Sequence, residues 1–217
     1  MGDASGGSEF IFQTMRWCRL LIIGLLGGGS GGLKADDVEV HDRGFVVYRD
    51  NCRECHLGSG MGIPALGVPS IAGLPRWYVT DQLRAFRRGE RGADAEDPSG
   101  RLMRTKAESI GERDLAFVGR HIESLPPSST RNALGGVSSP AGQQAYLADC
   151  ADCHGEQGEG SRGERAPPLI YQPDWYLLKQ LENFRDGKRP HRPDESSSKP
   201  AAHIAEAIVA WLATIPL

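Results

Sequence analysis

The sequence predicts an all-α protein made of two similar domains in tandem. Residues 44–91 align with residues 142–189 at an offset of 98 positions, and no insertion or deletion interrupts the match. A Cys-X-X-Cys-His motif occurs once in each copy. Apolar residues recur at the 3.6-residue spacing of helices, and the chain shows no βαβ pattern. Together these observations indicate a duplicated helical unit built around one motif per copy.

The two motifs read Cys52-Arg53-Glu54-Cys55-His56 and Cys150-Ala151-Asp152-Cys153-His154. This pattern is typical of covalent haem attachment, because two thiols one helical turn apart form thioethers with one porphyrin while the histidine binds its iron. A zinc site would need further Cys or His at matching spacing, and a thioredoxin-like redox pair would need a βαβ unit. The sequence therefore predicts two covalently bound haem c groups, attached through Cys52, Cys55, Cys150 and Cys153, with His56 and His154 as proximal iron ligands.

Each copy is expected to contain three helices separated by irregular loops. The first helix runs into the motif. The second is predicted over residues 77–87 and 175–185, with Gly89 and Gly187 as stop signals. The third is expected to start near Ser109 or Ser198 as N-cap and to end at a proline. Between the second and third helices, the second copy is eight or nine residues shorter than the first.

The domain boundaries follow from the repeat and from changes in composition. We expect a first domain over residues 36–126, a linker rich in Pro, Ser and Gly over residues 127–139, and a second domain over residues 140–217. Residues 1–35 are expected to be a signal peptide with extra N-terminal residues, the start being Met15, because a basic stretch, an apolar run and small residues follow it in order. The apolar run is too short to span a bilayer. This segment predicts export to the periplasm.

The charge of residues 36–217 bears on the partners that the protein can bind. This part of the chain carries 22 basic and 26 acidic side chains, which gives a formal charge of −4. Haem propionates would add further negative charge. Nucleic-acid binding requires a basic surface, so the composition argues against it. An acidic surface instead favours transient electrostatic docking with basic patches on redox proteins.

The second axial ligand of each iron is expected to differ between the two copies. Met103, in the loop between the second and third helices, is the expected distal ligand of the first haem, because Met61 lies too close along the chain to its proximal histidine. The second copy has no methionine, and His191 stands nearly where a distal ligand is needed. Lys199 and His203 are weaker candidates for that position. An open, five-coordinate second iron is the alternative, and it would bind a small ligand or substrate.

Residues beside the ligands are expected to support the haems. Pro69 and Pro167 each lie thirteen residues after their proximal histidine, where a backbone carbonyl would accept the second ring N–H and fix the tautomer. Four arginines recur in both copies and are candidates for pairing with haem propionates, with solvated helix ends as the alternative. They are Arg87, Arg91, Arg185 and Arg189.

The pattern resembles the cytochrome c4 family of periplasmic di-haem cytochromes. The resemblance extends over residues 36–217 and includes Ala72-Gly73 and the runs Trp77-Tyr78 to Phe86-Arg87-Arg88-Gly89 and Trp175-Tyr176 to Phe184-Arg185-Asp186-Gly187. It implies two class I cytochrome c domains in tandem and a role carrying electrons to a respiratory oxidase or a related acceptor. It also implies His/Met ligation at both haems; Met103 fits that pattern, and the second copy departs from it.

Our main hypothesis is an electron-transfer protein with no substrate chemistry of its own. Its partners would be redox proteins, namely an oxidase, a reductase or a dehydrogenase, and loose association with the membrane surface stays open. A second hypothesis is the haem subunit of a larger dehydrogenase complex, for example one in which a flavoprotein oxidises sulfur compounds. A third is a small redox enzyme or ligand sensor that uses an open second haem.

Overall fold

The computed structural model describes residues 35–127, 133–191 and 200–217, with side chains from residue 43 onward. Within these ranges the chain is helical between loops, and its β pairing consists of two isolated bridges, Ile63 with Val68 and Ser161 with Ala166. These bridges occupy equivalent positions in the two copies. None of the helices described in these ranges is both long enough and apolar enough to cross a membrane. Except for Ala35, the predicted signal segment lies outside the described residues.

The all-α fold is confirmed, and among the described residues the second half repeats the element order of the first except for helix α4. The first half contains α1 (Ala35–Asn51), α2 (Arg53–His56), α3 (Arg76–Arg87), α4 (Pro98–Glu108) and α5 (Glu112–Ser124). The second half contains α6 (Pro140–Asp149), α7 (Ala151–His154), α8 (Asp174–Arg185) and α9 (Ala202–Leu212). In each half the helix that precedes the motif packs against the last helix, α1 against α5 and α6 against α9.

One glycine in each half permits this close helix crossing. A Cβ atom at Gly44 would lie 2.5 Å from the Phe117 carbonyl oxygen, and one at Gly142 would lie 2.0 Å from the Ala207 carbonyl oxygen. Carbon and oxygen atoms cannot approach so closely, so a larger residue would push the helices apart. The recurrence of this glycine in both copies therefore reflects the backbone contact that places each motif against its own core.

Among the described residues, the first half has the larger buried cluster. Buried residues of α1, α3, α4 and α5 form it together with residues of the adjoining loops, and they include Tyr48, Leu83, Phe86, Leu115 and Val118. The buried cluster of the second half is formed by Tyr146, Ile208, Leu212 and Ile215. Fewer side chains are buried in that second cluster.

The sequence predicted the central helices well and the segment after them poorly. Helices α3 and α8 begin within one residue of the prediction, and Gly89 and Gly187 adopt φ of 72° and 74° just beyond their ends. Helix α4 was not anticipated. Ser109 is the C-cap of α4 rather than the N-cap of α5, whose N-cap is Gly111, so the predicted start of the third helix is wrong. Ser198 lies outside the described residues.

Candidate cofactor sites

Each Cys-X-X-Cys-His motif forms a short helix directly after the first helix of its half. The Cys52 amide donates to the Tyr48 carbonyl at 2.8 Å, and the His56 amide donates to the Cys52 carbonyl at 2.9 Å. The second motif repeats the turn, with the His154 amide 2.9 Å from the Cys150 carbonyl. The first cysteine and the histidine of each motif are therefore one helical turn apart, as attachment of one porphyrin requires.

A proline carbonyl orients the histidine of each motif. The Nδ1 atoms of His56 and His154 lie 3.0 Å from the carbonyl oxygens of Pro69 and Pro167. A carbonyl only accepts hydrogen bonds, so Nδ1 carries the proton and Nε2 keeps its lone pair. Burial lowers the pKa of both rings, and the proline carbonyl opposes that shift. Each histidine is thus prepared as a neutral ligand, and the predicted proline contact is confirmed.

The first cysteine of each motif lies in an apolar environment. Burial raises the pKa of the Cys52 thiol to about 12 and that of the Cys150 thiol to about 11. Each of these two residues packs against the core cluster of its own half. An uncharged sulfur suits this environment, and a thioether carries no charge at any pH.

Met103 lies on the inner side of helix α4. It is half-buried and packs against the first core cluster, the same cluster that Cys52 contacts. The expectation that Met103 belongs to a loop is wrong, because Asp97 caps a regular helix by accepting a hydrogen bond from the Gly100 amide and Pro98 occupies its first turn. A helix holds the thioether more firmly than a loop would.

His191 lies close to the proximal histidine of the second half. The ring centroids of His154 and His191 are 6.1 Å apart, with an angle of 32° between the ring planes. His191 also packs edge-on against Phe184, with 4.8 Å between centroids. His203 is exposed in the first turn of α9 and Lys199 lies outside the described residues. Of the two candidates that the structure describes, His191 is the one that lies beside His154.

Two of the four repeated arginines are buried where the halves meet. Arg91 and Arg189 are each 8% exposed, whereas Arg87 pairs with exposed Glu112 on the surface. The buried pair is held by four polar residues for which sequence reasoning assigned no role: Tyr78, Gln82, Tyr176 and Gln180. The sequence signal that could have pointed to these four residues was their recurrence at equivalent positions of both copies.

The residues present fit a covalently held porphyrin in each half. Both histidines offer Nε2 from a buried, oriented ring, and the indole N–H of Trp175 is buried without a partner in the described part of the chain. The buried arginines supply cationic donors for carboxylate groups. Within the described ranges, no group of three or more His, Cys, Asp or Glu side chains is placed to hold a metal ion.

Known proteins share both the sequence pattern and the fold. The Cytochrome c family profile matches residues 41–126 and 139–215. The thiosulfate dehydrogenase electron acceptor of Stutzerimonas stutzeri is 31% identical over 167 residues, which is 72% of this chain and 71% of the relative. Cytochrome c4 of Azotobacter vinelandii is 30% identical over 154 residues, 66% of this chain and 71% of the relative.

A solved structure has a similar fold. The thiosulfate dehydrogenase TsdBA from Marichromatium purpuratum superimposes with a TM-score of 0.67 at 30% identity. The match covers 81% of this chain but only 40% of the other, so this chain spans less than half of that protein.

Proposed function

Because the chain belongs to the cytochrome c family, as a di-haem electron-transfer protein of the cytochrome c4 type, we propose that it accepts single electrons from a thiosulfate-oxidising dehydrogenase. From there it passes them to a respiratory acceptor. Two haem c groups are its covalent cofactors, and redox proteins are its partners. The observation that carries the choice of donor is the similarity, over 72% of this chain, to a protein that accepts electrons from thiosulfate dehydrogenase.

The proposal assigns a role to each motif residue. Cys52 and Cys55 attach the first haem, Cys150 and Cys153 attach the second, and the Nε2 atoms of His56 and His154 bind the irons. Their common support is the repeated geometry of the two motifs, which differ by no more than 0.1 Å in the hydrogen bonds compared above. When bound, each haem supplies a one-electron iron couple, which no side chain of the protein provides.

We assign Met103 as the distal ligand of the first haem and His191 as that of the second. If His154 and His191 both bound one iron, with metal–nitrogen distances of about 2 Å, their ring centroids would be about 6 Å apart. The observed 6.1 Å between His154 and His191 supports this assignment. Methionine raises the potential of a haem relative to histidine, so the two sites would have unequal potentials, with the first haem higher.

The chain's own residues keep the proximal histidines in place. The Tyr48 hydroxyl donates to the Leu57 carbonyl at 2.6 Å, and the Tyr146 hydroxyl donates to the Gly155 carbonyl at 2.7 Å. Each bond fixes the residue that follows the proximal histidine. Together with the proline carbonyl, it limits rotation of the ligand, so little rearrangement is needed when an electron arrives.

We further propose that the protein works in the periplasm and docks its partners transiently through charge. The formal charge of −4 over residues 36–217 supports this mode, since a basic face on a partner is its complement. Attachment to the membrane surface is the alternative. Cell fractionation at low and high salt separates the two: the periplasmic proposal expects the protein in the soluble fraction at both, whereas recovery with membranes at low salt supports attachment.

The direct test of the proposed electron donor is whether a thiosulfate dehydrogenase reduces the purified di-haem protein. Visible absorption of the haems should show reduction within seconds after thiosulfate is added, and none when dehydrogenase or thiosulfate is omitted. The same assay with a sulfide-oxidising flavoprotein tests the dehydrogenase-complex alternative. Reduction by the flavoprotein alone, or a stable one-to-one complex with it, would overturn the proposed donor.

A further inference from the structure

Three exposed leucines lie beside the residues of the first haem site. Leu57 directly follows the proximal His56, and Leu66 lies later in the same loop. Leu102 directly precedes Met103 on helix α4. The exposed fractions of Leu57, Leu66 and Leu102 are 40%, 69% and 53%. A single exposed leucine is ordinary, but several beside one functional site indicate an interaction surface. These three residues are termed the leucine face.

Contacts between helix α4 and the segment that contains the motif bring the leucines to one side of the first half. At one end, Lys106 of α4 pairs with Glu54 of the motif at 3.7 Å. At the other end, a Cβ atom at Gly67 would lie 3.2 Å from the Ser99 hydroxyl oxygen, so the loop passes against the start of α4. Leu102 shares a helix side with Ser99 and Lys106, because residues three or four apart are neighbours on a helix surface. It therefore lies between the two contacts.

The backbone of Leu57 adopts a conformation that disfavours a side chain. Its φ and ψ are 62° and 170°, a region that essentially only glycine occupies, so a leucine there costs free energy of folding. The equivalent residue of the second half is Gly155, with φ of 81° and ψ of 158°. The turn after the proximal histidine therefore needs no side chain, and the first half carries a leucine there in spite of its cost.

The second half shows that a haem site of this geometry does not require a leucine face. It has Gly155 and the exposed Glu164 at the positions equivalent to Leu57 and Leu66. Both halves nonetheless hold the proximal histidine on a proline carbonyl at 3.0 Å. Since the leucines are neither buried in the core nor needed for the proximal geometry, contact with another molecule accounts for them best.

Basic side chains border the leucine face, although residues 36–217 carry a net negative charge. Arg53 of the motif and Arg101 of α4 are exposed, and neither pairs with a carboxylate within the described ranges. The carboxylate of Glu54 is already paired with Lys106. In the second half, the position of Arg53 is occupied by Ala151. An apolar centre with a basic rim is complementary to a partner surface that has an apolar patch and an acidic rim.

We infer that the leucine face is the docking surface at which electrons leave the first haem for an acceptor protein, and that this acceptor presents an apolar patch with an acidic rim. The inference rests on the proposed function in one respect, the higher potential of the methionine-ligated haem, which makes that haem the exit. In each transfer one electron passes from ferrous iron to a one-electron centre of the acceptor. The iron becomes ferric, and no covalent bond forms or breaks.

The experiment measures oxygen uptake by a purified bacterial cytochrome c oxidase in detergent, with the di-haem protein as substrate and ascorbate as reductant. This assay contains no dehydrogenase, so its result does not depend on the proposed donor. The double variant Leu66→Ser with Leu102→Ser should raise the KM for the di-haem protein about fivefold at unchanged kcat, because it impairs docking alone. The reduction potential of the first haem should stay the same.

The matched control is the double variant Val137→Ser with Leu217→Ser, which removes two exposed apolar side chains elsewhere. Its KM should stay within about twofold of the parent value. Leu57→Gly separates docking from folding: it relieves the backbone strain, so the thermal midpoint should rise, yet the KM should rise as well because the leucine side chain is lost.

Arg101→Glu tests the charge of the partner. The KM should rise at low salt and approach the parent value at high salt, since salt screens exposed charges. A lower KM in this variant would show that the acceptor has a basic rim and would overturn the inference. Unchanged KM values in the leucine variants, or an equal rise in the Val137 and Leu217 control, would overturn it too. The haem count and the two potentials of the parent protein, measured separately, tell whether the proposed function itself has failed.

Discussion

The two halves agree on the proximal side of their haem sites and differ on the distal side. Both hold the motif histidine on a proline carbonyl at 3.0 Å, and both fix the next residue with a buried tyrosine. The residues that we propose as distal ligands differ: Met103 lies on a capped helix, and His191 lies at an exposed position after α8. Covalent attachment constrains the proximal geometry tightly, whereas the sixth ligand can change and thereby set the potential.

Exchanging the proposed distal ligand of the first haem should remove most of the difference in reduction potential between the two haems. Met103→His would give the first haem the imidazole ligation proposed for the second, and its reduction potential should fall by on the order of 0.1–0.3 V, a fraction of the roughly 0.8 V that axial ligands span. Spectroelectrochemical titration measures it. Met61→His is the control, since Met61 is exposed, and it should leave both potentials in place. Unchanged titration of the Met103 variant would contradict this ligand assignment.

Removing the distal ligand of the second half should change one haem and spare the other. His191→Ala would leave the second iron five-coordinate, so half of the haem should become high-spin and bind carbon monoxide in the ferrous state. His203→Ala is the control, because this exposed residue of α9 is a weaker candidate for the ligand. Carbon monoxide binding already present in the parent protein would instead support the open second haem, a sensor or enzyme.

Most of the proximal site could be predicted from the sequence, because local geometry determines it. The Cys-X-X-Cys-His spacing, the stop glycines and the proline thirteen residues beyond each histidine all act over short distances. Helix α4 was missed because its residues are mostly polar and it contains Gly100, although Asp97 followed by Pro98 was a usable start signal. Ser109 drew attention instead, but its hydroxyl donates to the Lys106 carbonyl and ends that helix.

The junction between the halves could not be predicted in the same way. The repeat identifies equivalent positions, such as Tyr78 with Tyr176, but it carries no information on which copy contacts which. That Arg91 is bound by Tyr176 rather than by Tyr78 depends on how two folded units pack, over 85 residues of intervening chain. Contacts of this kind depend on tertiary packing. In the sequence they are visible only as the same residues repeated at equivalent positions of the two copies.

The helix crossings offer a comparison of stability between the halves. Gly142→Ala should destabilise the protein by about 1–3 kcal/mol, since the new Cβ would lie 2.0 Å from a backbone oxygen and helices α6 and α9 must separate. Gly44→Ala should cost less, because the closest oxygen is at 2.5 Å. Thermal unfolding of the di-haem protein measures both, at about 2–4 °C per kcal/mol. Gly163→Ala should be neutral, because its Cβ would lie in ordinary van der Waals contact, 3.7 Å from the Ser161 hydroxyl oxygen; equal midpoints for all three would contradict the crossing argument.

The buried tyrosines should have the smallest effect and should act equally in both halves. Tyr48→Phe and Tyr146→Phe each lose one hydrogen bond to a backbone carbonyl, which costs about 1 kcal/mol at neutral pH. Burial raises the pKa of both phenols above its ordinary value, so their contribution to stability is complete below the unfolded pKa of about 10 and is lost as the pH rises towards the folded pKa. Urea unfolding above pH 10 should therefore show a shallower alkaline loss of stability in each variant than in the parent protein. A clear difference between the two variants would show that the proximal sides, which the structure makes equivalent, are held with unequal strength.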